Sequence, residues 1–224
     1  MGVGHNDLHM DASRRGFTLT NLVVVVAVVA LLAAVLILPS KFRRAKADAN
    51  FFCPMNLKTV GLAFRVWAGD HQDKFPMAIP AESGGTKGYT TGVDTYRHFL
   101  VMSNELGTPK ILACPLDNRT NESDFTLFNN QNLGYWVNLD TTNTNPDMFL
   151  AGDRNLTCDQ PPVSGVLKLS PGQKLGWSAQ MHIRRGNVLL ADGSAMTYSN
   201  SAAVTAAFRA SGDSTNVWRL SLPE

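Results

Sequence analysis

RRGFTLTNLVVVVAVVALLAAVLILP, Arg14 to Pro39, is the stretch on which the reading of the fold turns. Two arginines and a glycine precede Phe17. Polar side chains then occur only at Thr18, Thr20 and Asn21, before an unbroken apolar run from Leu22 to Leu38. As helix, residues 17–38 extend about 33 Å at ~1.5 Å per residue, roughly one bilayer hydrocarbon core. Helices buried in soluble cores usually keep polar positions along one side. This run has none after Asn21, so it is predicted to lie in a membrane. A secretory signal peptide would carry a shorter apolar region ending in small residues, and Leu36-Ile37-Leu38-Pro39 does not supply them.

Helix-compatible sequence resumes after Pro39 with residues 41–50, so the proline is expected to kink the helix rather than end it. From Cys53 to Trp67 the apolar positions Leu57, Val60, Phe64 and Trp67 recur three or four residues apart, with Lys58 and Arg65 elsewhere on the wheel. Gly61 within this segment would admit another backbone, at a cost of about 1 kcal/mol relative to alanine. A stop is expected near Gly69-Asp70. The prediction is one helix of roughly 50 residues, with a membrane half and an amphipathic half.

Residues 1–13 are polar and aperiodic, and residues 71–92 read as a loop. Tyr96 to Leu106 is predicted as a short helix, and Pro109 to Pro115 (PKILACP) as a short strand between prolines. The segment 117–132 is rich in Asn, Asp, Ser and Thr. Leu133–Leu139 and Met148–Gly152 read as strands joined by TTNTNP. Asn187–Ala191 and Ser194–Tyr198 flank Asp192-Gly193, a hairpin signal that predicts a type I′ turn. Ser201–Ala210 closes as helix and Val217–Leu220 as a last strand. The fold class is α+β, with the long N-terminal helix packed on an antiparallel sheet of hairpins.

The chain has 224 residues and a formal net charge of +2, which is no basic footprint for nucleic acid. Arg14 and Arg15 are balanced by Asp7 and Asp11. Cys53, Cys114 and Cys158 lack any CxxC pairing, so no zinc motif is legible. In an oxidising compartment two could pair and leave one over. Cys114, beside Pro115, is the favoured partner in a disulfide. Cys53 is preferred to Cys158 opposite it, although sequence cannot fix the connectivity.

Basic residues, Gly16, then Phe17-Thr18-Leu19 and a long aliphatic helix resemble the type IV prepilin signature. His182, then nine residues, then Asp192-Gly193 resembles the C-terminal motif that accompanies such leaders in proteins of planctomycete and verrucomicrobial type. CPMNLKTVGLAFRVWAGDHQDKFP, KILACPLD, FLAGDRN and GNVLLADGS are similar to segments of that family. The resemblance implies three parts: a leader over 1–16, a transmembrane helix half over 17–39, and an amphipathic helix plus pilin-like domain over 40–224. It implies cleavage after Gly16 by a prepilin peptidase, possible N-methylation of Phe17, and packing against other pilin or pseudopilin subunits. Its lipid partner would be the inner membrane. Counting Lys41, Arg43, Arg44 and Lys46 against Arg14 and Arg15 would place the C-terminal domain inside the cytoplasm. The leader, read from the cytoplasmic face, implies the reverse: N-terminus inside, domain extracytoplasmic.

The family usually has glutamate where this chain has Asn21, a carboxylate that neutralises a neighbouring subunit's terminal amine in the filament core. Asn21 brings no charge, which disfavours abundant homopolymer and leaves a minor or tip-proximal subunit or a chain that stays monomeric in the membrane. The expected function is therefore that of a structural pseudopilin-like subunit of a type II secretion or type IV pilus-like system, without enzymatic activity. The alternative is a membrane-anchored extracytoplasmic binding or hydrolytic domain that uses the same leader. His182 and Asp192 could form a base or ligand pair, but no third ligand or nucleophile lies at a telling spacing, so a structural role is expected. Asp70-His71-Gln72-Asp73 reads as a helix end. No cofactor is expected; Asp153, Asp159, Asp192 and Asp213 are the carboxylates that could meet calcium, and none has EF-hand spacing.

Overall fold

The structure, a computed structural model, describes residues 18–211 and 217–224, with the side chains of 35–50 excepted. The chain divides into two units, Met1–Ala45 and Lys46–Glu224. Helix α1, Leu19–Asp70, is 52 residues long and does not end at position 39. Among the described residues, no helix is long and apolar enough to cross a membrane. The span expected over 17–39 includes residue 17 and the side chains of 35–39, which lie outside the described set.

In the second unit the amphipathic strip of α1 is covered: Leu57, Val60 and Phe64 are 0% exposed and Trp67 3%. The helix stops where His71 turns back on it. Its ring stacks on Trp67 with centroids 3.6 Å apart, and Nδ1–H donates to the Trp67 carbonyl at 2.7 Å. Gln72 and Asp73 then take left-handed φ values of 59° and 56°, reversing the chain.

Between residues 76 and 132 the backbone forms short 3-10 turns and two four-residue helices, α2 (Arg97–Leu100) and α3 (Ser103–Leu106). The single helix expected over 96–106 is broken because Met102 leaves helical geometry (φ −104°, ψ 26°) and Gly107, at φ 68°, ends the second piece. The strand expected over 109–115 is also corrected. Pro109–Leu112 is a 3-10 turn, with Pro109 at its start and the Thr108 hydroxyl accepting from Lys110 N–H at 3.4 Å. Proline's fixed φ suits a first turn, and prolines at both ends remove donors that a ladder needs.

A six-stranded antiparallel sheet is built from β1 (Tyr135–Asn138), β2 (Phe149–Asp153), β4 (Val166–Leu169), β6 (Gly186–Leu190), β7 (Ala195–Tyr198) and β8 (Trp218–Ser221), in the order β4-β8-β1-β2-β6-β7. A separate ribbon pairs β3 (Leu156–Cys158) with β5 (Leu175–Trp177). The fold is thus α+β with an antiparallel sheet. Sequence neighbours pair at β1-β2 and β6-β7, whereas β8 inserts between β4 and β1 from the far end of the chain. Every residue of β1 and β2 is buried, so this centre is covered on both faces. Helix α4 (Ser201–Ser211) buries Val204 and Phe208, and the Phe208 ring meets Trp218 edge-on at 4.9 Å.

The β6–β7 turn is not type I′, since only Gly193 has positive φ, 88°. Gly193 N–H donates to the Leu190 carbonyl at 3.0 Å and Leu190 N–H to the Ser194 carbonyl at 2.8 Å. The loop is therefore the three residues Ala191-Asp192-Gly193, a tight turn followed by a bulge glycine. The Asp192 carboxylate accepts from Ser194 N–H at 2.7 Å, which fixes the extra residue. This turn sits on α1. A Cβ at Gly61 would lie 3.1 Å from Gly193 Cα, and Arg65 donates to the Asp192 carbonyl at 3.3 Å.

Candidate functional site

Two places in the molecule carry chemistry. The first is the start of α1. Thr18 Oγ1 accepts from Asn21 N–H at 3.3 Å, the bond that caps a helix N-terminus. Gly16 and Phe17 lie outside the described residues. Asn21 is exposed, as are Leu19, Leu22, Val23, Val24, Val25 and Val26. The helix here presents apolar side chains on every side.

The second is a buried polar chain inside the second unit. Cys53 on α1 and Cys114, just after the Pro109 turn, form a disulfide, while Cys158 in β3 is free and half-buried. Met181 and Leu116 close over the bridge. His182 Nε2 lies 3.3 Å from Cys114 Sγ and 3.2 Å from Asp153 Oδ2. Asp153, the last residue of β2, is 0% exposed, and its Oδ2 accepts from the backbone and side-chain N–H of Asn187 at 2.7 and 2.8 Å. The Thr197 hydroxyl holds Asn187 in turn, donating to Oδ1 at 2.6 Å. A buried carboxylate needs such donors, because leaving it bare in a low-dielectric interior costs several kcal/mol.

Backbone strain brings His182 inward. Ile183 and Arg184, which follow it, have φ values of 49° and 60°. A β-branched residue in this region is an outlier, costing of order 1–3 kcal/mol, and persists only where surroundings enforce it. Ile183 is 70% exposed while His182 is 3% exposed, so the reversal inserts the imidazole and leaves the isoleucine outside. Nearby Tyr135 is fully buried, and burial pushes its phenol well above the usual value, with the Asp153 charge adding to the rise.

One detail decides the chemistry available. Sulfur and carboxylate meet the same imidazole nitrogen, so Asp153, His182 and Cys114 cannot act as a proton relay, which needs partners on opposite nitrogens. His182 and Asp192 also serve different places: His182 on the disulfide, Asp153 and Asn187, and Asp192 in the hairpin turn. Of the carboxylates considered for calcium, Asp153 is committed to Asn187, and Asp159 accepts from Lys174 N–H at 3.2 Å. Asp192 belongs to its turn, and Asp213 lies outside the described residues. Among the described residues, the one group of three metal-ligating side chains is Cys53, Cys114 and His182.

Asn187 and Thr197 escape sequence reading, and Asp153 is visible there only as one carboxylate among four. The available signal is an acid directly ending the apolar run FLAG, where a strand interior has to satisfy it. A polar cleft of about 450 Å³ beside Arg119 and Arg154 has its cations engaged. Arg154 pairs with Asp117 at 2.5 Å, and Arg119 donates to the Asn130 and Pro223 carbonyls. Compared with known proteins, the chain matches no family model, no curated protein and no solved structure.

Proposed function

We propose that this chain is a structural pseudopilin-like subunit, held by the first part of α1 and presenting a pilin-like extracytoplasmic domain. The observation that carries the reading is the exposure of an all-apolar helical surface. Val23 to Val26 are 49–59% exposed, and Leu31 and Leu32 67% and 56%. Exposed apolar area of this extent needs lipid or other helices against it. The leader pattern at Arg15-Gly16-Phe17 supplies the second support. Lipid would cover the segment in the inner membrane, and neighbouring subunits would cover it in a filament.

Asn21 narrows the role. Each interface of a homopolymer would bury a terminal amine without the carboxylate that offsets it, at a cost of several kcal/mol. A minor or tip-proximal position requires fewer such contacts. The experiment is mass spectrometry of the N-terminus in protein from the host's membrane fraction and from sheared surface filaments. A chain beginning at Phe17 in both fractions is expected. Met1 at the mature N-terminus would overturn the reading, and a cleaved chain confined to the membrane would favour an anchored binding domain.

A further inference from the structure

We propose that Cys53, Cys114 and His182 form a zinc site, with Asp153 beside it, whenever the Cys53–Cys114 disulfide is reduced. The three donor atoms already lie within 4.8 Å of one another, and all three residues are buried. Donors bound to tetrahedral zinc at about 2.0–2.3 Å stand roughly 3.5 Å apart. The 3.3 Å between His182 Nε2 and Cys114 Sγ is close to that. Asp153 stands beside this trio, its Oδ2 3.2 Å from the same imidazole nitrogen and held by Asn187, as a neighbouring carboxylate outside the group of three. Two sulfurs and one imidazole nitrogen suit zinc rather than calcium or magnesium, with the fourth position left to an exogenous ligand.

The balance is simple. Two electrons from a dithiol reductant open the S–S bond, giving two thiols and the reductant's own disulfide. Zinc then displaces both thiol protons, and His182 binds through an unprotonated Nε2. Disulfide and metal are thus alternative cross-links at one junction, each tying α1 at Cys53 to the chain at Cys114. The metal form belongs to reducing surroundings, before oxidation. This inference stands independently of the pseudopilin reading.

The test uses the full chain in detergent micelles, reduced with a water-soluble phosphine and titrated with Co²⁺ and then Zn²⁺. Expected for the reduced wild type are one equivalent bound, thiolate-to-cobalt absorption with tetrahedral bands, displacement by zinc, and a native circular dichroism spectrum. The oxidised protein should show none of these bands. Cys53→Ser and His182→Asn should abolish the tetrahedral signal, and Asp153→Asn should weaken binding by about 10–100-fold. Cys158→Ser should change nothing, which separates a built site from adventitious binding to thiols. Absence of the bands in reduced wild type, their survival in His182→Asn, or a reduced chain that stays unfolded with zinc present would each overturn the proposal.

Discussion

Helix α1 has two stretches with the same backbone and opposite surroundings. Over residues 18–34 nearly every side chain is exposed, and the apolar residues occupy all sides. Over Cys53–Asp70 the apolar residues fall on a strip, and Cys53, Leu57, Val60 and Phe64 are each 0% exposed, whereas Lys58, Leu62 and Arg65 remain outside. Secondary structure therefore says little about what an α-helix is for; the distribution of its apolar surface says more. The second stretch finds its cover within its own chain. The first is left exposed among the described residues, and the proposed anchoring or assembling role would give it cover.

The largest expected effect comes from exchanging a side chain in each stretch. Phe64 meets Phe75 and Phe99 edge-on at 5.9 and 5.8 Å in the core. Phe64→Ala should cost about 3–5 kcal/mol, from lost burial plus the cavity left behind. Val25, 49% exposed, should tolerate alanine within about 0.5 kcal/mol. Urea unfolding of the full chain in micelles, followed by tryptophan fluorescence, measures both. Equal losses would erase the distinction between the two stretches.

Acid should weaken the core that covers the second stretch and leave the first stretch untouched. His98, in α2 next to Phe99, is 0% exposed, and burial lowers its pKa from 6.5 to about 4. One ring nitrogen, Nδ1, lies 2.7 Å from the Thr86 hydroxyl. The unfolded chain takes up this proton below about pH 6.5, and the folded chain only near pH 4. The stability that neutral His98 contributes is therefore complete above pH 6.5 and is lost as pH falls towards 4, by about 3 kcal/mol in total. Comparing wild type with His98→Gln between pH 7 and pH 4 isolates this group from other titrations. The wild type should lose more stability than the variant by that amount. Residues 22–34 contain no titratable side chain, so the first stretch should be indifferent.

What sequence reveals here follows from the range of the interaction. The strip on α1 is legible because Leu57, Val60, Phe64 and Trp67 repeat within one helix. The β6–β7 hairpin is legible because Asp192-Gly193 is a local turn signal, although its loop has one residue more than a type I′ turn. Strand β4, VLKL, is too short to show a period, and the insertion of β8 between β4 and β1 depends on pairing across the chain that no local pattern encodes. Pro109–Leu112 misleads because an apolar run between prolines fits a strand or a tight turn equally well. The polar chain around His182 is hidden for a similar reason. Asp153 and Asn187 are ordinary polar residues beside apolar strands until the sheet pairs β2 with β6 and buries both.

The smallest effect tests the covered stretch side by side with its own open face, using two glycines of α1. Alanine is favoured over glycine in a helix by up to about 1 kcal/mol, so each position would gain if space alone allowed it. At Gly69 a Cβ would meet nothing within 4 Å, and Gly69→Ala should stabilise the protein by about 0.5–1 kcal/mol. At Gly61 the same Cβ would lie 2.6 Å from Leu189 Cδ1 and 3.1 Å from both Cα and the carbonyl oxygen of Gly193. Leu189 is fully buried, so its methyl has little room to retreat, and the hairpin backbone behind it is held by the Asp192 turn. Overpacking of this kind costs about 1–3 kcal/mol, which exceeds the helical gain. Gly61→Ala should therefore destabilise by about 1 kcal/mol net, with a sign opposite to Gly69→Ala. Differential scanning calorimetry of the two variants beside wild type reads both signs. A stabilising Gly61→Ala would show that the hairpin can lift from α1 without loss, and that the close approach at Gly193 is not what fixes the sheet on the helix.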